Sequence, residues 1–296
     1  MKTKNIICYG EVLWDLLPTG AVPGGAPMNV AIRAQSLGLS AKIISKIGND
    51  KLGMDLSRFL KEKNVDISLL QVDEKLSTGS VFVEVDKNGI ATYDIKYPTA
   101  WDKIELSNSI IENVKLADAF VFGSLSCRDD VSKQTLLSLI KHAKFKVFDV
   151  NLRPPFYDLK LIKELIQKSD LVKLNDEELV LLVNELGLNS LDLNESVLFL
   201  NKKLNVKTIC VTRGEKGALL FANGEFFSHK GFKVKVADTV GSGDSFLAAL
   251  IFKILSNDSY DETIEFACAI GSLVASLTGA NSEITNEDIK NIIKNS

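Results

Sequence analysis

The chain has 296 residues, 46% hydrophobic and 25% charged, which is enough for a sizeable core. Lys and Arg number 35 against 38 Asp and Glu, a net charge of −3, so no basic excess points to nucleic acid or an anionic membrane as partner. Cys8, Cys127, Cys210 and Cys268 form no C-x-x-C pair, and they are expected as reduced core residues of a cytoplasmic protein, not as zinc ligands or a disulfide frame.

The first apolar run, 5–9, is too short for a signal segment or a membrane span and reads as a buried strand. A helix is expected over 26–37, with Pro27 in its first turn, then a strand over 41–47 and a helix over 53–63. The pattern then changes. Residues 79–85 and 91–97 are strand-like on either side of Asp86-Lys87-Asn88-Gly89, an antiparallel hairpin that stands off the main sheet as a flap. Alternation resumes with strands at 119–122, 145–150, 171–174 and 208–212 and helices at 130–143, 159–168, 176–186 and 195–204. A second hairpin, 218–222 with 225–228, turns at Asn223-Gly224, and helices at 244–255, 261–277 and 286–294 close the chain. This order predicts one α/β domain with a mostly parallel, helix-covered sheet, whose ligands sit beyond the carboxyl ends of the strands.

The most informative stretch is Asp238-Thr239-Val240-Gly241-Ser242-Gly243-Asp244, followed by an apolar helix. Its glycines leave bare N–H groups at a helix start, where unpaired donors and partial positive charge suit a phosphate. Asp244 is a poor neighbour for phosphate unless it takes a proton from an attacking hydroxyl. The plainer alternative is an Asp that only stabilises a first helical turn. Near the N-terminus, Glu11 and Asp15 follow the first strand, where a carboxylate can accept bonds from paired sugar hydroxyls. Gly24 and Gly25 allow close backbone approach, and Asn29 on the next helical turn offers both a donor and an acceptor. In Asp149-Val150-Asn151-Leu152-Arg153, alternate residues of an extended segment would face one cleft. Asn175 and Glu178 have capping-box spacing, or alternatively offer hard oxygen ligands for Mg²⁺, mostly through water. Thr212, Gly214 and Gly217 lie in a polar turn suited to nucleotide contact. No G-x-x-x-x-G-K-[ST] and no first-strand G-x-G-x-x-G occurs, so P-loop and dinucleotide folds lose support.

Two of these motifs, Gly24 to Ala31 (with Gly38 and Gly48 following) and Asp238 to Leu250, together with the N-x-x-E element of Asn175 and Glu178, closely resemble the PfkB (ribokinase-like) carbohydrate kinases across essentially the whole chain. The first-strand, Gly-Gly and Asp-Val-Asn-Leu-Arg-Pro segments look most like bacterial fructokinases. The resemblance implies a ribokinase-like fold with a β lid formed mainly by 79–97 plus a segment near 12–22. It implies ATP as donor and Mg²⁺ as helper. Asp244 is then the base, and Gly241, Ser242 and Gly243 form the anion hole. Asp15, Gly24, Gly25 and Asn29 bind the sugar, and Arg153 reaches the substrate or the phosphate. Thr212, Gly214 and Gly217 lie along ATP, and Asn175 and Glu178 organise Mg²⁺. Asp238, Val240 and Gly279 would frame a monovalent cation such as K⁺, although Glu283 falls where some cation-activated relatives have Ser. Many relatives dimerise lid to lid, and Val81, Val83 and Val85 offer an apolar face for that.

The expected reaction is ATP-dependent phosphorylation of fructose. 2-Keto-3-deoxygluconate, ribose and nucleosides are alternative acceptors, and a non-catalytic sugar-binding regulator is the alternative of another class. A keto-acid would call for an extra cation, with Lys96 the candidate beside Arg153. A nucleoside would call for an aromatic shelf from Phe82, Tyr93, Tyr97 or Trp101. Phosphoryl transfer requires little early proton loss from the alcohol, so a carboxylate of ordinary pKa is expected to suffice at Asp244.

Overall fold

A computed structural model describes residues 3–17, 20–85, 91–190 and 192–295. Strand β1 (Asn5–Tyr9) is an inner strand, third from one edge, of a nine-stranded sheet. It pairs in parallel with β4 (Ser40–Gly48) on one side and β8 (Ala119–Gly123) on the other. Strand β5 (Leu70–Asp73) extends the first side. On the second side, β9 (Lys146–Asp149), β10 (Leu171–Asn175) and β11 (Thr208–Thr212) follow in parallel. The antiparallel hairpin β12 (Ala218–Ala222) and β13 (Glu225–His229) closes that edge.

Burial on both faces explains the apolar strands. In β1, Ile6 and Cys8 point to one face and Ile7 and Tyr9 to the other, and all are at most 2% exposed. One face packs α1 (Ala26–Ser36), α2 (Lys51–Glu62), α8 (Ser242–Leu255), α9 (Tyr260–Ala275) and α10 (Asn286–Lys294). The other packs α3 (Asn108–Leu116), α4 (Asp130–Ile140), α5 (Leu159–Gln167), α6 (Asp176–Glu185) and α7 (Leu193–Leu204) over Phe120, Phe122 and Phe148. The phenylalanine rings lie 5.6 and 5.4 Å apart in sequence along the sheet. All four cysteines are buried and unpaired, as expected.

A second sheet of four strands, in the order β3-β2-β6-β7, combines β2 (Leu13–Leu17) and β3 (Gly20–Gly24) with β6 (Gly79–Val85) and β7 (Ala91–Ile95). The expected turn at 86–89 lies outside the described residues, as do the side chains of Val83, Val85 and Tyr93. Arg128 fastens this sheet to the larger unit. Its Nη2 donates to Lys96 O at 2.6 Å, and Nε and Nη2 grip Asp102 at 2.7 and 2.9 Å. The guanidinium lies 4.0 Å from the Trp101 ring centroid and 4.9 Å from that of Phe156, so charge and stem are both covered.

Candidate active site

The site forms where the starts of α1 and α8 meet. These helices pack against each other, and Asn29 Nδ2 donates to Asp244 Oδ2 at 2.8 Å across 215 positions of sequence. Helix α1 begins at Gly25, whose φ of 114° and 2.5 Å approach of a would-be Cβ to Glu11 O admit only glycine. Across β2 and β3, the space a Gly24 side chain would need is taken by Asp15 Oδ2, 2.2 Å from its would-be Cβ. Asp15, Gly24, Gly25 and Asn29 therefore stand around one recess with Asp244.

Helix α8 begins two residues earlier than expected, at Ser242, because Gly241 takes the left-handed conformation (φ 72°) that ends the preceding loop. A Cβ on Gly241 would lie 2.2 Å from Ala280 Cβ. The anion hole differs in one member from its expected form. Ser242 N–H donates to Thr239 O at 3.2 Å, and Ser242 Oγ donates to Gly271 O at 2.9 Å, so this residue closes the turn. Gly241, Gly243 and Asp244 keep N–H groups with no acceptor among the described residues.

Asp244 is not an ordinary carboxylate. Burial pushes its pKa up to about 6, and the Asp149 charge adds to this, against the Asn29 hydrogen bond and the Lys173 and Arg153 charges. Burial also raises Asp15 to about 6 and Glu11 to about 7, with the Arg153 charge opposing both shifts. Glu11 Oε2 is buried without a partner. Arg153 is exposed, its Nη1 donates to Leu152 O at 3.1 Å, and its charge acts on all three carboxyl groups.

The segment after β9 does not continue extended. Asn151 adopts φ 39°, which breaks the alternation that would have aligned Asp149, Asn151 and Arg153. Asp149 turns inward instead and binds Lys173 Nζ at 3.1 Å. That ammonium sits 3.3 Å from where a Gly243 Cβ would stand, directly behind the α8 turn. Sequence reading had passed over Lys173 as a functional group; the signal was a lysine inside the buried apolar strand Leu171–Asn175. Neighbouring carboxylates outweigh desolvation, raise its pKa and keep it cationic.

Asn175 and Glu178 form a complete capping box at α6, with Oδ1 and Oε2 accepting the two reciprocal N–H bonds at 2.7 and 2.8 Å. Glu178 Oε1 also accepts Leu152 N–H at 2.7 Å. Each of these oxygens accepts one backbone bond and keeps a second lone pair, so this pair fits Mg²⁺ held through water. No group of three or more His, Cys, Asp or Glu suited to a metal occurs among the described residues. Thr212 lies beside Asn175 at the carboxyl edge of the sheet. Gly214 and Gly217 form a tight turn closed by Arg213 N–H to Gly217 O at 2.8 Å. Asp238 bridges two loops, with Oδ1 accepting Val240 N–H at 3.0 Å and Oδ2 accepting Gly279 N–H at 3.1 Å.

The arrangement pairs a raised-pKa carboxylate with free helix-start amides and a buried cation, which suits attack of an alcohol on a phosphoryl group. The profile of the pfkB family carbohydrate kinases matches residues 4–287. Fructokinase-2 of Solanum lycopersicum is 30% identical over 304 residues, covering 93% of this chain and 91% of its own. A putative sugar kinase of Pyrococcus horikoshii is 32% identical over 272 residues, 87% of this chain and 82% of that protein. Its crystal structure superposes with a TM-score of 0.82 at 28% identity, covering 98% of this chain and 100% of that one. The ATP-bound fructokinase of Xylella fastidiosa shares the fold at 22% identity, with a TM-score of 0.88 over 99% of each chain. The chain is a carbohydrate kinase with the ribokinase-like α/β fold, and it belongs to the pfkB family.

Proposed function

We propose that the protein transfers the terminal phosphoryl group of ATP to a hydroxyl of a small neutral sugar, with fructose the first candidate and fructose 6-phosphate the product. The observation that carries this reading is the Asn29–Asp244 contact at 2.8 Å, which supports reading Asn29 as a sugar-recognising amide beside a proton acceptor. Asp244 takes the hydroxyl proton as the new O–P bond forms. The free amides of Gly241 and Gly243, with the Lys173 charge behind them, receive the phosphoryl oxygens. Asn175 and Glu178 would hold, through water, a Mg²⁺ that came with ATP, and Thr212, Gly214 and Gly217 would lie along the nucleotide. When bound, the ion neutralises charge on the phosphates. Asp238, Val240 and Gly279 frame the candidate position of K⁺.

A neutral acceptor is favoured over a keto-acid. Glu11, Asp15 and Asp244 all face Arg153, so a substrate carboxylate would meet three acidic groups and one cation. A nucleoside shelf also loses one of its candidates, because Trp101 is fully buried beneath Arg128. In this reading the β2-β3-β6-β7 sheet is the lid over the sugar, and it excludes water as a competing acceptor. Its exposed Leu17 and Phe82 make it the surface for a homodimer, which a monomeric mass at micromolar concentration would reject. A coupled ADP-release assay over fructose, ribose, 2-keto-3-deoxygluconate and nucleosides tests the reading. Turnover with fructose is expected to dominate, and sugar binding without ADP release would favour a regulator.

A further inference from the structure

We propose that Asn281 is a positioning residue for phosphoryl transfer, holding through Asn29 the amide that faces the Asp244 carboxylate and thereby tying the 278–283 loop to the base. The inference rests on the kinase reading above.

The direction of every bond in this chain is fixed by chemistry. An ionised carboxylate only accepts, so Asn29 must present its NH₂ group to Asp244 Oδ2. That leaves Asn29 Oδ1 on the opposite side, where Asn281 Nδ2 donates to it at 3.0 Å. Without this second bond, Asn29 could rotate its amide and bring Oδ1 against the carboxylate, exchanging attraction for repulsion. With both bonds made, Asn29 retains one N–H and one lone pair, the pair a sugar hydroxyl can use. Asn29 is itself 4% exposed, so water is a poor substitute for Asn281.

The loop that carries Asn281 is itself held at several points. Ala280 packs against Gly241 at the anion hole, and Gly279 N–H binds Asp238. Arg33, buried in α1, directs its guanidinium to Ser282 O at 2.8 Å and to Ser245 Oγ on α8 at 3.2 Å. Four of the six loop residues, Gly279 to Ser282, therefore touch the turn before α8 or helix α1. A shift of this loop reaches the base through two amides.

The test is the pH profile of kcat and kcat/KM for the sugar. Asp244 is faced by Asp149, which raises its pKa, and by Lys173 and Arg153, which lower it, while its own charge raises that of Glu11. Asn281→Ala changes none of these charges. It removes only the restraint on the Asn29 bond, which holds the pKa down. The acid limb should move up by about half a pH unit, so kcat/KM should fall by about 2-fold at pH 6 and about 3-fold at pH 5, with little loss at pH 8. Asn281→Ser, whose hydroxyl is too short to reach Asn29, should behave alike and stands in if the alanine variant folds poorly. In an Asn29→Ala background, Asn281→Ala should shift the limb no further. An unmoved limb in the single variants, or an undiminished shift in the Asn29→Ala background, overturns the proposal. Asp244→Asn separates the two readings. Wild-type turnover in that variant sinks the kinase base, whereas its inactivity beside an unmoved Asn281→Ala limb sinks only the relay.

Discussion

Replacing Asp244 by Asn should remove activity and stabilise the fold at the same time. Turnover should drop by ~10²–10⁴-fold, the usual effect of removing a positioned general base. The stability effect follows from the raised pKa. Folding lifts this carboxyl from 3.8 to about 6, so the native state holds its proton more tightly than the unfolded chain. For a raised carboxyl, that stabilisation is present below the unfolded value and is lost as pH rises through the folded one. At pH 8 the full cost is felt. Two pH units correspond to roughly 3 kcal/mol, an upper bound, because the residue retains some solvent access. A gain of ~1–2 kcal/mol is the expected result once that access is discounted, or about 2–6 °C in Tm for a chain of this size. The gain should shrink to a small fraction by about pH 4, where the wild-type group is protonated in the native state and about half ionised in the unfolded one, and vanish below about pH 3. Thermal melts at pH 8 and pH 4, alongside the ADP-release assay, measure both effects. A variant that is inactive but no more stable at pH 8 than at pH 4 would refute the buried, destabilised carboxylate. A variant that turns over normally would refute its role.

Wild-type kcat/KM should lose about tenfold per pH unit below 6, whereas a base of ordinary pKa would keep nearly full activity at pH 5; a flat profile from pH 8 to pH 5 contradicts the raised value. Gly241→Ala puts a Cβ 2.2 Å from Ala280 Cβ at φ 72° and should cost ~1–3 kcal/mol in urea unfolding as well as most of the turnover. Arg128→Ala strands Asp102, which is fully buried, and should destabilise by ~3–5 kcal/mol. Lysine should rescue little of this, because it lacks the fork that grips Asp102 and the plane that stacks on Trp101. Equal urea midpoints for the Lys variant and the wild type would contradict that geometry.

Local chemistry made most of the larger sheet legible before any coordinates. Strands buried on both faces must be apolar runs, and helices between them must carry a one-sided stripe, so β1, β4 and β8–β13 followed from pattern alone. What the pattern did not give is instructive. Strand β5 and helix α3 were not anticipated. β5 is four residues with no fully buried position, and only Ile110 and Val114 of α3 are buried. Neither segment carries enough apolar periodicity to stand out from loop. Strands β2 and β3 hide for another reason. Strand β2 pairs with β6, more than sixty residues away in the chain, and Gly20, Pro23 and Gly24 within β3 argue locally against a strand, so this region was expected only from the family resemblance, as a lid segment near 12–22.

The site divides along the same line. Gly25 and Gly241 announce themselves because each lies in the left-handed region, where a side chain would be strained. Asp244 was legible as an anomaly, a carboxylate among phosphate-type donors, but its raised pKa was not, because desolvation is a property of what packs around a residue. The capping box at Asn175 and Glu178 was visible as spacing, yet the Leu152 N–H that fills the third acceptor comes from a loop after another strand. Lys173 and Asn281 lie furthest from sequence reading. Lys173 acquires its meaning from Asp149 on the adjacent strand and Gly243 on a distant helix, and Asn281 from an amide 252 positions earlier. Motifs therefore reveal residues whose backbone geometry is constrained by their own neighbours, whereas residues that tune the base are fixed by packing between elements. That is why Asp244 could be singled out from sequence as the proposed base while the groups that set its proton affinity could not.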